Sequence, residues 1–123
     1  MKVNELRVGN WFMGYHDPFK WILEHFDLLK QADLDEIIKE PIPLSEDILL
    51  KCGFEMELSI STPTFICKQR RDLIVQSLPE IGSYIFRIKA GMGYPTFVRY
   101  VDYLHQLQNL FFAITGEELE VEL

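Results

Sequence analysis

Cysteine and histidine are scarce in this sequence, with two of the first and three of the second among 123 residues. Cys52 and Cys67 form no C-x-x-C pair and have no spaced histidine nearby, so the ligand patterns of structural zinc and thioredoxin-like redox chemistry are missing. A small secreted scaffold would usually carry more disulfide partners, and both residues read as buried, reduced thiols. His16, His25 and His105 lack the H-x-x-x-H or H-E-x-x-H spacing that sets two imidazoles on one helical face. No metal site and no cofactor is expected.

Long uncharged apolar runs are also lacking. None approaches the roughly 20 residues of a membrane-spanning helix, and Met1-Lys2-Val3-Asn4-Glu5-Leu6-Arg7 has no apolar stretch of the kind an export signal needs. A cytoplasmic protein without membrane association is the expectation. Repeats, low-complexity tracts and interdomain linkers are missing too, so residues 1–123 read as a single domain. Glycine-rich phosphate loops have no clear counterpart. Gly91-Met92-Gly93 runs into Tyr94-Pro95, without the Lys-Ser/Thr or third glycine such loops carry, and reads as a hairpin turn. Neither a Ser-His-Asp order nor a Cys-His pair can be argued from spacing.

What is present suits a folded chain. A hydrophobic fraction of 48% against 25% charged residues argues against disorder. A chain of this length buries roughly two-thirds of its unfolded surface, enough for a core without staples. Nine Phe, five Tyr and two Trp suggest a core of large rings, or surface kept for a partner. The net charge of −7 is unevenly placed: residues 1–62 carry six Lys/Arg against twelve Asp/Glu, and residues 63–116 carry six against three. Overall acidity disfavours an extended nucleic-acid surface, which needs cations to displace counterions from phosphate.

Periodicity predicts an α+β fold: a short N-terminal β-unit, a capped helix, an antiparallel β-meander and a C-terminal amphipathic helix. Leu6, Val8, Trp11 and Met13 mark an opening strand over residues 3–13, with a turn or bulge at Gly9-Asn10. Gly14 to Pro18 reads as a turn and Phe19 to Leu23 as a second strand. Glu24–Gln31 has helical spacing, and Asp35–Lys39 suits a further turn or strand. In Pro43–Phe54, Ser45 is a good N-cap, Glu46 and Asp47 complement the helix dipole, and Gly53 sits where a left-handed C′ residue belongs. Ile48, Leu49 and Leu50 are its expected buried side.

Strands are predicted at Glu55–Ile60, Thr64–Cys67, Leu73–Ser77, Tyr84–Lys89 and Thr96–Val98. From Arg99 to Thr115, Tyr100, Tyr103, Leu104, Leu107, Leu110, Phe111 and Ile114 recur at spacings of three and four, with Gly116 as the stop. Asp102, Gln106 and Asn109 fall on the opposite face. The alternating tail Leu119 to Leu123 suits one more edge strand, its glutamates discouraging edge-to-edge pairing.

Two clusters are candidates for contact. On the last helix, His105, Gln106, Gln108 and Asn109 offer polar groups to a ligand or partner, against the plainer reading of a solvated face. Lys68, Arg70 and Arg71 form the densest basic run, with Arg87 and Lys89 later, and could meet phosphates beside Phe65, Tyr84, Phe86 and Tyr94. A solvated turn is the commoner fate of such a run. No catalytic residue can be assigned.

Pro41-Ile42-Pro43-Leu44-Ser45-Glu46-Asp47-Ile48-Leu49-Leu50-Lys51-Cys52-Gly53-Phe54 resembles the PIPL-T-E-E-x-L-L-x-x-G-F segment of a family of small uncharacterised proteins. That family is found in anaerobic gut bacteria and their phages or mobile elements. Residues 101–119 resemble its closing Y-V-H-Q-L-Q-N-L-Y-F-A-L-T-G-E-E-L, with Leu104 where the family has Val before the histidine, and Asn4-Glu5-Leu6-Arg7-Val8-Gly9-Asn10 fits its start. Together the segments span about a third of the chain. The resemblance implies the same succession of β-unit, capped helix, meander and closing helix, and brings no activity.

The sequence therefore points to an accessory or binding protein, of phage or mobile-element origin, acting through a protein partner or as a homodimer. A nucleic-acid-associated factor using the Lys68–Arg71 turn is the alternative. An enzyme, with His105 and Asn109 as its nominees, is third.

Overall fold

The computed structural model describes residues 7, 10–13, 17–20, 40–57, 63–89 and 96–123. The helix expected at Glu24–Gln31, the element at Asp35–Lys39, His16, His25 and the Gly91–Gly93 turn lie outside them. The α+β class is correct, in the expected order of N-terminal strands, capped helix, five-stranded antiparallel sheet and closing helix. Two compact units divide the chain: Met1–Pro43 with Tyr103–Leu119, and Leu44–Asp102 with Glu120–Leu123.

In the first unit, β1 (Trp11–Met13) pairs antiparallel with β2 (Pro18–Lys20) and β3 (Glu40–Pro41), in the order β2-β1-β3. Pro41, lacking an N–H, is tolerated because β3 is an edge. Helix α2 (Leu104–Thr115) packs on β1. Phe12, Ile42, Leu104, Leu107, Phe111 and Leu119 are buried in this unit.

The second unit opens with α1 (Glu46–Lys51). Ser45 Oγ accepts from Ile48 N–H at 3.2 Å, Glu46 and Asp47 occupy the first turn, and Gly53 takes φ +83° to release the chain into β4 (Phe54–Glu57). Leu49 is the buried member of the helix. Ile48 is half-buried, and Leu50, expected inside, is 48% exposed because so short a helix turns one narrow stripe inward. The meander continues as β5 (Thr64–Cys67), β6 (Leu73–Leu78), β7 (Ser83–Ile88) and β8 (Thr96–Val101), each strand antiparallel to the last. Register places Phe54, Phe65, Cys67, Leu73, Val75, Phe86 and Val101 on one face, all of them buried.

Several strand ends shift by one residue, as at Pro18, Phe54, Leu78 and Ser83, and three larger differences from expectation stand out. The closing helix begins at Leu104, and Arg99–Val101 complete β8, with Tyr100 opposite Ile85 and Val101 opposite Tyr84. Thr96-Phe97-Val98-Arg99-Tyr100-Val101 is dominated by β-branched and aromatic residues, and ladder pairing overrides the helical spacing of its last members. The opening strand is confined, among the described residues, to Trp11–Met13. Upstream, Arg7 and Asn10 close on each other: Asn10 N–H donates to Arg7 C=O at 3.0 Å, and Arg7 N–H to Asn10 Oδ1 at 2.8 Å. The tail forms no strand, although Glu122 N–H donates to Lys51 C=O at 3.0 Å.

Candidate functional site

The polar face of α2 was one candidate, and its surroundings follow from the helix itself. Gln106, three residues into the helix, reaches back so that its Oε1 accepts from Tyr103 N–H at 3.2 Å, the side-chain half of a capping box. Gly116 closes the other end at φ +73°, donating its N–H to Phe112 C=O at 2.8 Å.

Between these caps, His105 and Gln108 turn inward, while Gln106 and Asn109 are half-buried. His105 is 2% exposed and Gln108 1% exposed. His105 lies with its ring centroid 5.1 Å from Phe12 and 6.1 Å from the nearly parallel ring of Tyr103. Gln108 Oε1 accepts from Trp11 N–H at 2.9 Å, giving the first residue of β1 a partner on the helix. Asn109 Oδ1 accepts from Asn10 Nδ2 at 2.8 Å and Arg7 Nε at 3.0 Å. The Arg7 guanidinium also reaches Gln108 C=O at 3.1 Å and both carboxylate oxygens of Glu118, and it stacks over Phe112 at 4.3 Å. His105, Gln106, Gln108 and Asn109 are thus engaged within the first unit. Spacing alone concealed this, because the partners Arg7, Asn10 and Trp11 lie about a hundred positions away.

The basic cluster is also drawn into local contacts. Arg70 Nε and Nη2 meet the Asp72 carboxylate at 3.3 and 3.4 Å, and Arg71 Nη1 lies 3.6 Å from Glu55 Oε2. Arg87 Nε donates to Gln76 Oε1 at 2.7 Å, and Gln76 Nε2 in turn contacts Thr64 Oγ1 at 3.5 Å, a ladder across three strands. Lys89 donates its backbone N–H to Asp72 C=O. Lys68 is left on the surface, its N–H held by Gly53 C=O at 3.0 Å.

That bond leads to a feature the sequence did not suggest. A groove of about 320 Å³ opens in the second unit at the C-terminal end of α1. Leu50, Cys52 and Gly53 lie along it. Lys68 and Gln69 join it on one side, next to Gly53, while Glu120 and Glu122 join it beside Lys51, which the Glu122 N–H to Lys51 C=O bond holds close. Alternation along the tail places Glu120 and Glu122 together and exposed while Leu119 is buried and Val121 half-buried. Lys51 reaches Asp47 at 3.1 Å one turn back, whereas no ion pair among the described residues engages Lys68, Glu120 or Glu122.

Buried below is Cys52, whose thiol is pushed up to about 12 by desolvation and by neighbouring Cys67. A thiol so disposed is inert at neutral pH. Burial and the nearby Glu46 carboxylate likewise push the Tyr84 phenol up. Among the described residues, no three His, Cys, Asp or Glu side chains gather into a metal-binding group, and no helix is long and apolar enough to cross a membrane. Compared with protein-family models, curated proteins and solved structures, the chain matches none.

Proposed function

We propose that this chain is a non-enzymatic accessory or binding module that works by protein–protein contact through the charged groove of its second unit. One observation carries the reading: the groove is lined by exposed lysine and glutamate side chains together with an exposed leucine, while the polar face of α2 and the arginines of the basic cluster are engaged internally. An apolar spot with a charged rim is the usual anatomy of a protein-binding surface. Charged groups without internal partners raise association rates and select partners by sign.

Nucleic-acid contact draws less support, because Arg70 and Arg71 are occupied by Asp72 and Glu55 and the chain carries a net −7. Catalysis draws less again, since Asn109 is committed to Arg7 and Asn10. The resembling segments support a place among phage or mobile-element factors.

The test uses the lysines as handles. The full chain is expressed in bacterial cells, the lysate is treated with an amine-reactive crosslinker, and crosslinked peptides are read by mass spectrometry. Intermolecular crosslinks concentrated at Lys51 and Lys68 are expected. Crosslinks spread evenly over all lysines, or absent from Lys51 and Lys68, would overturn the reading.

A further inference from the structure

We propose that Cys52 and Cys67 are a latent intrachain disulfide, closed by exchange with a small-molecule disulfide and tying the end of α1 to β5. Both residues belong to the second unit, and both are free thiols buried in it, Cys52 at 2% and Cys67 at 1% exposure. The register of β4 on β5 brings them together. Phe54 lies directly opposite Cys67. Lys68 N–H donates to Gly53 C=O at 3.0 Å, which makes Phe54 and Cys67 the narrow, non-hydrogen-bonded kind of pair, where facing side chains stand closest. Cys52 ends α1, and only Gly53, in the left-handed turn at φ +83°, separates it from Phe54. The nearness of the two sulfurs is felt at Cys52, whose proton is held first by burial and then by the charge Cys67 would carry.

The chemistry is thiol–disulfide exchange. One cysteine, as thiolate, attacks a sulfur of the small disulfide, forming a mixed disulfide and releasing one thiolate of the reagent. The second cysteine, giving up its proton to solvent, attacks the protein-side sulfur, forms the Cys52–Cys67 bond and releases the second thiolate. The chain loses two hydrogens and two electrons, and the small disulfide is reduced to two thiols. Because burial keeps both groups from reagents, exchange passes through a transiently opened chain. The folded state then decides whether the product is held.

The bond would join the Leu50–Gly53 side of the groove to the strand that leads into Lys68 and Gln69. It fixes those two parts of the groove to each other under oxidising conditions and leaves them linked only by hydrogen bonding under reducing ones. The pairing itself does not depend on what the groove binds.

Equilibration of the full chain in mixtures of oxidised and reduced glutathione tests this, with the position of equilibrium approached from both the thiol and the disulfide side. The fraction oxidised is read after acid quenching, by intact mass and by peptide mapping. The expected product lacks two hydrogens and links Cys52 to Cys67 within one chain. A fold that holds the two sulfurs in place favours that bond over the unfolded chain, so half-oxidation is expected in a mixture more reducing by at least about tenfold than the one required in urea. The isolated disulfide form should also unfold at higher urea than the thiol form. Half-oxidation in the same or a more oxidising mixture than in urea overturns the proposal. So does a folded chain that carries only glutathione adducts or links between chains.

Discussion

Asn10 and Asn109 meet side chain to side chain, Nδ2 donating to Oδ1 at 2.8 Å, and join the start of the chain to its last helix. Asn10 is fully buried, and the same Oδ1 accepts from Arg7 Nε. This explains why the polar residues of α2 coexist with its apolar stripe: the helix supplies acceptors to Arg7, Asn10 and Trp11.

Replacing Asn109 by alanine strands the buried Asn10 amide and removes an acceptor from Arg7. A loss of about 1–3 kcal/mol is expected, the usual cost of a buried donor left without its partner. Asn109→Asp keeps an acceptor at the same place and adds charge beside the guanidinium, so it should cost less. Urea unfolding of the three proteins checks the order. Equal stability in all three would refute the role given to this amide.

Gln108 makes a narrower prediction. Gln108→Met keeps most of the volume but withdraws the acceptor of Trp11 N–H. The Trp11 amide should exchange with deuterium faster, by about fivefold if the bond contributes about 1 kcal/mol. Amides of β6 and β7, in the other unit, should keep their protection.

Gly116→Ala isolates backbone strain. The residue sits at φ +73°, and a Cβ there would meet nothing within 4 Å. The expected loss of about 1 kcal/mol comes from the left-handed conformation alone. Thermal unfolding should show it, and Gly116→Asn should recover part of it.

Cys52 predicts a stability profile in alkali. Its folded value, about 12, lies above the ordinary 9.0. Between about pH 9 and pH 12 the unfolded chain releases this proton more readily than the folded one. The contribution is full below pH 9 and declines at up to about 1.4 kcal/mol per pH unit until the folded group titrates. Tyr84, shifted in the same direction, adds to the decline at its upper end. Cys52→Ala should flatten the profile from pH 9, whatever it costs at neutral pH. A thiol reagent at pH 8 should leave Cys52 unmodified until the protein unfolds.

Much of the architecture was legible because its signals are local. Ser45, Glu46, Asp47 and Gly53 announce α1 within nine positions, and β5 runs from Thr64 to Cys67 as its composition predicts. Tyr100 misled because a residue at helical spacing can equally alternate in a strand, and only the ladder with Ile85 decides between them. The polar face of α2 was visible as a cluster, but its role was not. Whether Gln108 faces water or Trp11 depends on a partner distant in sequence, and periodicity carries no such information. The groove was hidden for the same reason, being assembled from residues 50–53, 68–69 and 120–122 by two backbone hydrogen bonds.

The central claim, that contact is made through the groove while the helix face serves the fold, is tested most directly by backbone amide shifts of uniformly ¹⁵N-labelled chain recorded as unlabelled bacterial lysate is added. The account predicts progressive, salt-sensitive shifts at Lys51, Gly53, Lys68, Gln69, Glu120 and Glu122, with His105, Gln106, Gln108 and Asn109 unmoved. Shifts concentrated at those four helix residues, with the groove silent, would contradict it.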